Sequence, residues 1–174
     1  MNVLLLGGQS PRHYHWVREF RDVLEAHGHA VTLLDYAHWL RGEREIDVEH
    51  ELHAAARLAS AMTDYVVVAK SIGCVLTAVG HERGLLAPRA ALLLGFPVHG
   101  REEDAELARA VADLPPTIVV QNEHDPFGSA AEVGAYFAAH APARYRVQTV
   151  PGIATHDYTD FEALTALVDE LGTP

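Results

Sequence analysis

Short apolar runs alternate with stretches of helical spacing along the whole chain, and this alternation limits the folds open to it. Runs rich in leucine or β-branched residues occur at Val3 to Leu6, Ala30 to Asp35, Tyr65 to Ala69, Ala90 to Gly95, Thr117 to Gln121 and Arg144 to Val150. Most of them lack the polar alternation of a half-exposed strand, so they predict strands buried on both faces. Between them, apolar residues recur every three or four positions, as at Val17, Phe20 and Leu24, or at Leu164, Leu167 and Val168. Strand, helix, strand in sequence implies right-handed crossovers and a mainly parallel six-stranded sheet with helices on both faces. The class is therefore α/β, a three-layer sandwich. Doubly wound sheets commonly start 2-1-3, so the expected order is 2-1-3-4-5-6, with the ligand site outside the carboxyl ends of the strands.

At 49% hydrophobic residues, 174 residues can bury a substantial core without staples, and no linker or repeat interrupts them. One domain spanning 1–174 is expected. A formal net charge of −11 opposes binding to phosphate backbones and anionic lipids, so neither nucleic acid nor membrane is an expected partner. The single cysteine, Cys74, has no internal partner, and Met1 to Leu6 carries neither a basic segment nor a long apolar run. A cytoplasmic location follows as an expectation; the oligomeric state does not follow at all. The pairs His13/His15, His27/His29 and His50/His53 have spacings a metal accepts, but no cysteines or convergent carboxylates accompany them. They are expected at the surface, with no metal and no cofactor bound.

Two loops meet at the carboxyl ends of strands 1 and 3 in this order: Gly7-Gly8-Gln9-Ser10 and Lys70-Ser71-Ile72-Gly73. Ser71 has small residues two positions before and after it, Ala69 and Gly73, and lies between a strand and a helix. A strained nucleophile elbow needs that context. The plainer alternative is a serine capping a helix N-terminus. Asp125 follows the fifth strand in a turn with Pro126 and Gly128, and His156 follows the sixth in a glycine-containing loop. The chain order Ser71, Asp125, His156 is that of an α/β-hydrolase triad, with His156 as base for Ser71 and Asp125 orienting the imidazole. The backbone N–H groups of Gln9 and Ile72 would then form the oxyanion hole. The competing use of the first loop is a phosphate site with Asp35 on a ribose; no further glycine follows until Gly28, so no dinucleotide or P-loop pattern forms.

VAKSIG (68–73), LLLGFPVHG (92–100) and IVVQNEHDPFG (118–128) together resemble the small, lid-less α/β-hydrolases related to dienelactone hydrolases. The resemblance runs from the first glycine-rich loop to the His156 loop. It implies an esterase-like triad and makes Lys70 a feature of the elbow, although Ala69 stands where glycine is frequent. The connection from Phe96 to Pro115 has room for one helix and no lid, which points to a small soluble acyl ester or thioester as substrate. Gly8, Ser10, Lys70, His99 and Phe127 are the candidate pocket residues. Lys70 either pairs with a structural acid or holds a substrate carboxylate, and His99 either lines the pocket or is a loop histidine. Cys74 is expected in the core. A hydrolase fold kept as a silent binding or scaffold protein is the alternative function. His156 within hydrogen-bond reach of both Ser71 and Asp125 would discriminate between them.

Overall fold

The structure, a computed structural model, describes residues 1–141 and 145–172. Six strands form one sheet: β1 (Asn2–Leu6), β2 (Ala30–Leu33), β3 (Tyr65–Lys70), β4 (Ala90–Leu94), β5 (Thr117–Asn122) and β6 (Tyr145–Val150). Their order is β2-β1-β3-β4-β5-β6 and every neighbouring pair is parallel, as the sequence pattern predicts. Arg144, the expected first residue of the last strand, lies outside the described residues. The helices are α1 (His13–Ala26), α2 (Ala37–Leu40), α3 (Val48–Ala59), α4 (Ile72–Glu82), α5 (Ala105–Ala112), α6 (Ala130–His140) and α7 (Phe161–Gly172).

Register fixes which chain ends meet. Leu6 pairs with Ala69 and Lys70 with Leu94, so the turns after β1, β3 and β4 stand side by side at one edge. β1, β3, β4 and β5 are buried through almost every residue. The two edge strands differ from expectation: β2 is half-exposed and β6 alternates exposed with half-buried residues, because each has a neighbour on one side only. α4 is buried from Ile72 to Gly80, the central helix against the sheet. Side chains close several helix N-termini: Asp47 on α3, Asp104 on α5, and a Ser129–Glu132 capping box on α6.

The charged 41–51 segment departs from its expected character at one end. Glu51 is 2% exposed, and its carboxylate accepts the Ala37 N–H at 2.7 Å, so an acid from the apparently solvated stretch anchors α2. α2 itself, too short to show periodicity, brings Tyr36, His38 and Trp39 beneath the loop that follows β1. Among the described residues no helix is long and apolar enough to cross a membrane.

Candidate active site

Ser71 directly follows β3 with φ 55° and ψ −117°, a backbone conformation that costs a non-glycine residue about 1–3 kcal/mol. Two hydrogen bonds hold it there: its N–H donates to Leu94 O and its carbonyl accepts from Cys74 N–H, both at 2.9 Å. Although Ser71 stands at the N-cap of α4, its side chain makes no capping bond. The hydroxyl is thereby left to the cleft. Gly73 explains how the turn fits: a Cβ there would lie 2.8 Å from Gly7 O and 2.9 Å from Leu6 O.

The acid and the histidine meet. Asp125 is 2% exposed, and its Oδ2 accepts from His156 Nδ1 at 2.7 Å and from the Tyr158 hydroxyl at 2.8 Å, while Oδ1 accepts Phe127 N–H at 2.9 Å. By accepting the Nδ1–H, this buried carboxylate fixes the ring's tautomer. The His156 loop is tied from below by Asn122, whose side-chain amide donates to Thr155 O and Asp157 O at 2.8 and 2.9 Å. Nε2 of His156 is buried and has no hydrogen-bond partner among the described residues, Ser71 Oγ included. The structure therefore joins His156 to Asp125 and leaves the nitrogen that would face a serine unbonded.

Across from the elbow, the Gly7–Ser10 loop is clamped through its carbonyls. Gly7 O accepts the Tyr36 hydroxyl at 2.9 Å, and Gln9 O accepts His38 Nε2 at 2.6 Å and Trp39 Nε1 at 3.0 Å. The N–H groups of Gln9 and Ile72 have no protein acceptor among the described residues. Two free amides beside a strained serine and an unbonded imidazole nitrogen form an arrangement suited to a carbonyl that becomes an oxyanion.

A family model for the alpha/beta hydrolase domain matches residues 3–165. This chain belongs to the alpha/beta hydrolase family. No curated protein matches its sequence. Among solved structures, an uncharacterized protein from Bacillus cereus aligns with a TM-score of 0.78 at 11% identity over 99% of this chain. The chain spans 60% of that protein's length. A Xanthomonas campestris hydrolase of the same superfamily gives 0.71 at 22% identity, covering 98% of this chain and 96% of its own. Est1E from Butyrivibrio proteoclasticus, solved with ferulic acid, gives 0.71 at 15% identity, covering 98% and 87%. At such identities the likeness is one of fold.

In this alpha/beta hydrolase Lys70 makes no ion pair with a structural acid among the described residues. It is 1% exposed, and its ammonium sits 2.8 Å from His13 Nε2, 5.8 Å from the Trp16 ring and 5.9 Å from the Tyr158 ring. Among the described residues no carboxylate lies within ion-pair distance, although the charges of Asp157 and Asp125 act on it. His13 is likewise drawn inward rather than solvated, as are His29 and His38, which are 8% and 0% exposed. Helical spacing offered no sign of this, because His13 opens α1 and His38 sits in the one-turn α2, where tertiary packing sets the environment.

The remaining candidates divide. Phe127 is 50% exposed with its ring centroid 4.7 Å from that of His156, at the mouth of the cleft. Ser10 serves the start of α1: its carbonyl accepts His13 N–H and its hydroxyl faces Arg12 N–H at 3.4 Å. His99 is exposed and bonded to Pro126 O at 2.9 Å and Glu132 Oε2 at 3.1 Å, which ties two loops together. Asp35, the conceivable ribose ligand, is held by Arg18 at 2.7 Å. Cys74 is in the core as expected, its thiol pushed up to about 12 by burial, and so is no second nucleophile. A cavity of about 500 Å³ opens between β6 and α7, lined by Asn122, Val150, Ile153, Tyr158 and Leu167. It lies behind the His156 loop, and neither Ser71 nor Gln9 lines it.

Proposed function

We propose that this chain is a serine hydrolase of the carboxylesterase or thioesterase kind, acting on a small soluble acyl ester through Ser71, His156 and Asp125. The observation that carries this is the Ser71 elbow at φ 55°, together with a half-buried His156 whose Nδ1 is bonded to Asp125 at 2.7 Å. In the reaction, His156 Nε2 takes the Ser71 proton as Oγ attacks the acyl carbon. The oxyanion is received by the N–H groups of Gln9 and Ile72, each such donor contributing about 3 kcal/mol. His156 then protonates the leaving alkoxide or thiolate, and the same residues pass a water proton to Ser71 as the acyl-enzyme is cleaved. The unbonded Nε2 fits a site without substrate, in which catalytic hydrogen bonds are often long.

We further place the chain with lid-less members related to dienelactone hydrolases, on two supports. One is the Lys70-Ser71-Ile72-Gly73 elbow; the other is that the connection between β4 and β5 holds α5 and no inserted domain. An uncovered site favours short acyl groups, since a long chain would gain little buried area.

A fluorophosphonate probe is expected to label the purified protein on Ser71, with the adduct absent from Ser71→Ala. Acetyl and butyryl esters are expected to turn over faster than long-chain ones. A folded protein that takes no label would overturn the serine-hydrolase function, and faster turnover of long-chain esters would overturn the substrate class.

A further inference from the structure

Burying a lysine without a carboxylate partner is costly, since desolvation disfavours its charge. Lys70 lies directly before Ser71, inside the core, and its close polar partner is a histidine ring. That ring rests on the oxyanion loop: a Cβ on Gly8 would stand 2.1 Å from His13 Nδ1. Nδ1 is buried, and its contact with the Gly8 backbone falls short of a hydrogen bond, yet it favours a proton on the ring.

The three peptides of the loop are held from different sides. Tyr36 fixes the Gly7–Gly8 peptide through Gly7 O, and His38 with Trp39 fixes the Gln9–Ser10 peptide through Gln9 O. The peptide between them, Gly8–Gln9, carries the N–H that would meet the oxyanion, and His13 is the side chain seated against it. In a trans peptide the carbonyl and the N–H point in opposite directions, so whatever holds Gly8 C=O aims Gln9 N–H.

We propose that Lys70 and His13 form a positioning relay: the Lys70 ammonium donates to His13 Nε2, keeps the ring in its Nδ1–H tautomer, and through that N–H orients the Gly8–Gln9 peptide toward the oxyanion. The relay rests on the hydrolase function proposed above. It gives Lys70 a role in the reaction without contact to substrate.

Protonation states suit it at neutral pH. Burial, and then the Lys70 charge, lower His13 from 6.5 to about 4, so the ring is neutral and Nε2 can accept. Burial lowers Lys70 from 10.5 to about 8, against the opposing pull of Asp157, Cys74 and Asp125, so it is charged up to that pH. Two further groups act on His13: His156 disfavours a second proton there, and the Asp157 carboxylate more weakly favours one. As pH rises through about 8 the ammonium is lost, and a charge-assisted bond becomes a weaker neutral one.

Oxyanion contacts strengthen only in the transition state, so Lys70→Met should lower kcat by about tenfold to a hundredfold and leave KM within about twofold. The fall in wild-type kcat above about pH 8 should be absent from the variant. His13→Phe keeps the ring's shape and should match Lys70→Met, and the double variant should be no slower than either single, because the two act in series. Nitrogen NMR of the His13 ring at pH 6.5 should show Nδ1–H in wild type. An Nε2–H ring, or unchanged kcat in both single variants, would overturn the relay. Should Lys70→Met not fold, His13→Phe carries the kinetic test. Should the wild-type protein take no fluorophosphonate label, it is the hydrolase function that fails, and the ring tautomer alone decides the relay.

Discussion

Asp125→Asn is expected to reduce kcat about ten-thousandfold while the protein stays folded. The carboxylate accepts three hydrogen bonds, from His156 Nδ1, Tyr158 OH and Phe127 N–H. An asparagine can still accept Phe127 N–H through its carbonyl, but its amide then faces His156 and Tyr158 with hydrogens. His156 would accommodate it by becoming an acceptor at Nδ1, which moves the ring proton to Nε2. With Nε2 already protonated, the ring could not serve Ser71 as its proposed base. The stability loss is smaller, about 1–3 kcal/mol for a buried network with one mismatched pair. Steady-state kinetics on a short-chain ester, with circular dichroism as the folding control, would show it. A fall of less than about tenfold would mean that His156 does not depend on Asp125 for its tautomer. Tyr158→Phe removes one donor and leaves the tautomer intact, so it separates loss of charge stabilisation from loss of the base.

The strands themselves and the placing of Ser71, Asp125 and His156 just past them were legible because both depend on local pattern, whereas the strand order followed only from how doubly wound sheets commonly run. Apolar runs such as Tyr65–Val68 announce buried strands, and a serine between Ala69 and Gly73 stands out at the end of one. What holds those residues in place was not legible. Asn122 is two residues past an apolar run and gives no hint that it pins both sides of the His156 loop. Tyr158 looks like any aromatic in a polar loop, yet its hydroxyl accepts Asn122 N–H and donates to Asp125. His13 and Lys70 are 57 positions apart, and only the pairing of β1 with β3 brings their loops together. Of the two partners the sequence suggests for Lys70, a structural acid is not found beside it among the described residues. A buried charge ordinarily finds a carboxylate, and here a neutral ring and two aromatic faces take that place.

The second large effect concerns a position with no functional atoms. Gly73→Ala is expected to cost about 1–3 kcal/mol of stability and to lower kcat about a hundredfold. The added methyl would stand 2.8 Å from Gly7 O and 2.9 Å from Leu6 O, closer than real Cβ contacts come, and a tight 3.0 Å from Leu6 Cβ. Two of these atoms are backbone, so no rotamer change relieves the clash. Either α4 retreats, carrying Ser71 and the Ile72 N–H away from the cleft, or the end of β1 retreats with the Gly8–Gln9 peptide. Both displacements separate the two proposed oxyanion donors, and a misplacement of about 1 Å is enough for such a loss. Gly134 in α6 is the matched control, since a Cβ there meets nothing within 4 Å. Gly134→Ala should leave kcat unchanged and raise stability by about 0.5–1 kcal/mol, the usual gain for alanine in a helix interior. If Gly73→Ala behaved like Gly134→Ala, the close approach of elbow and loop would not be what sets the distance between the oxyanion donors.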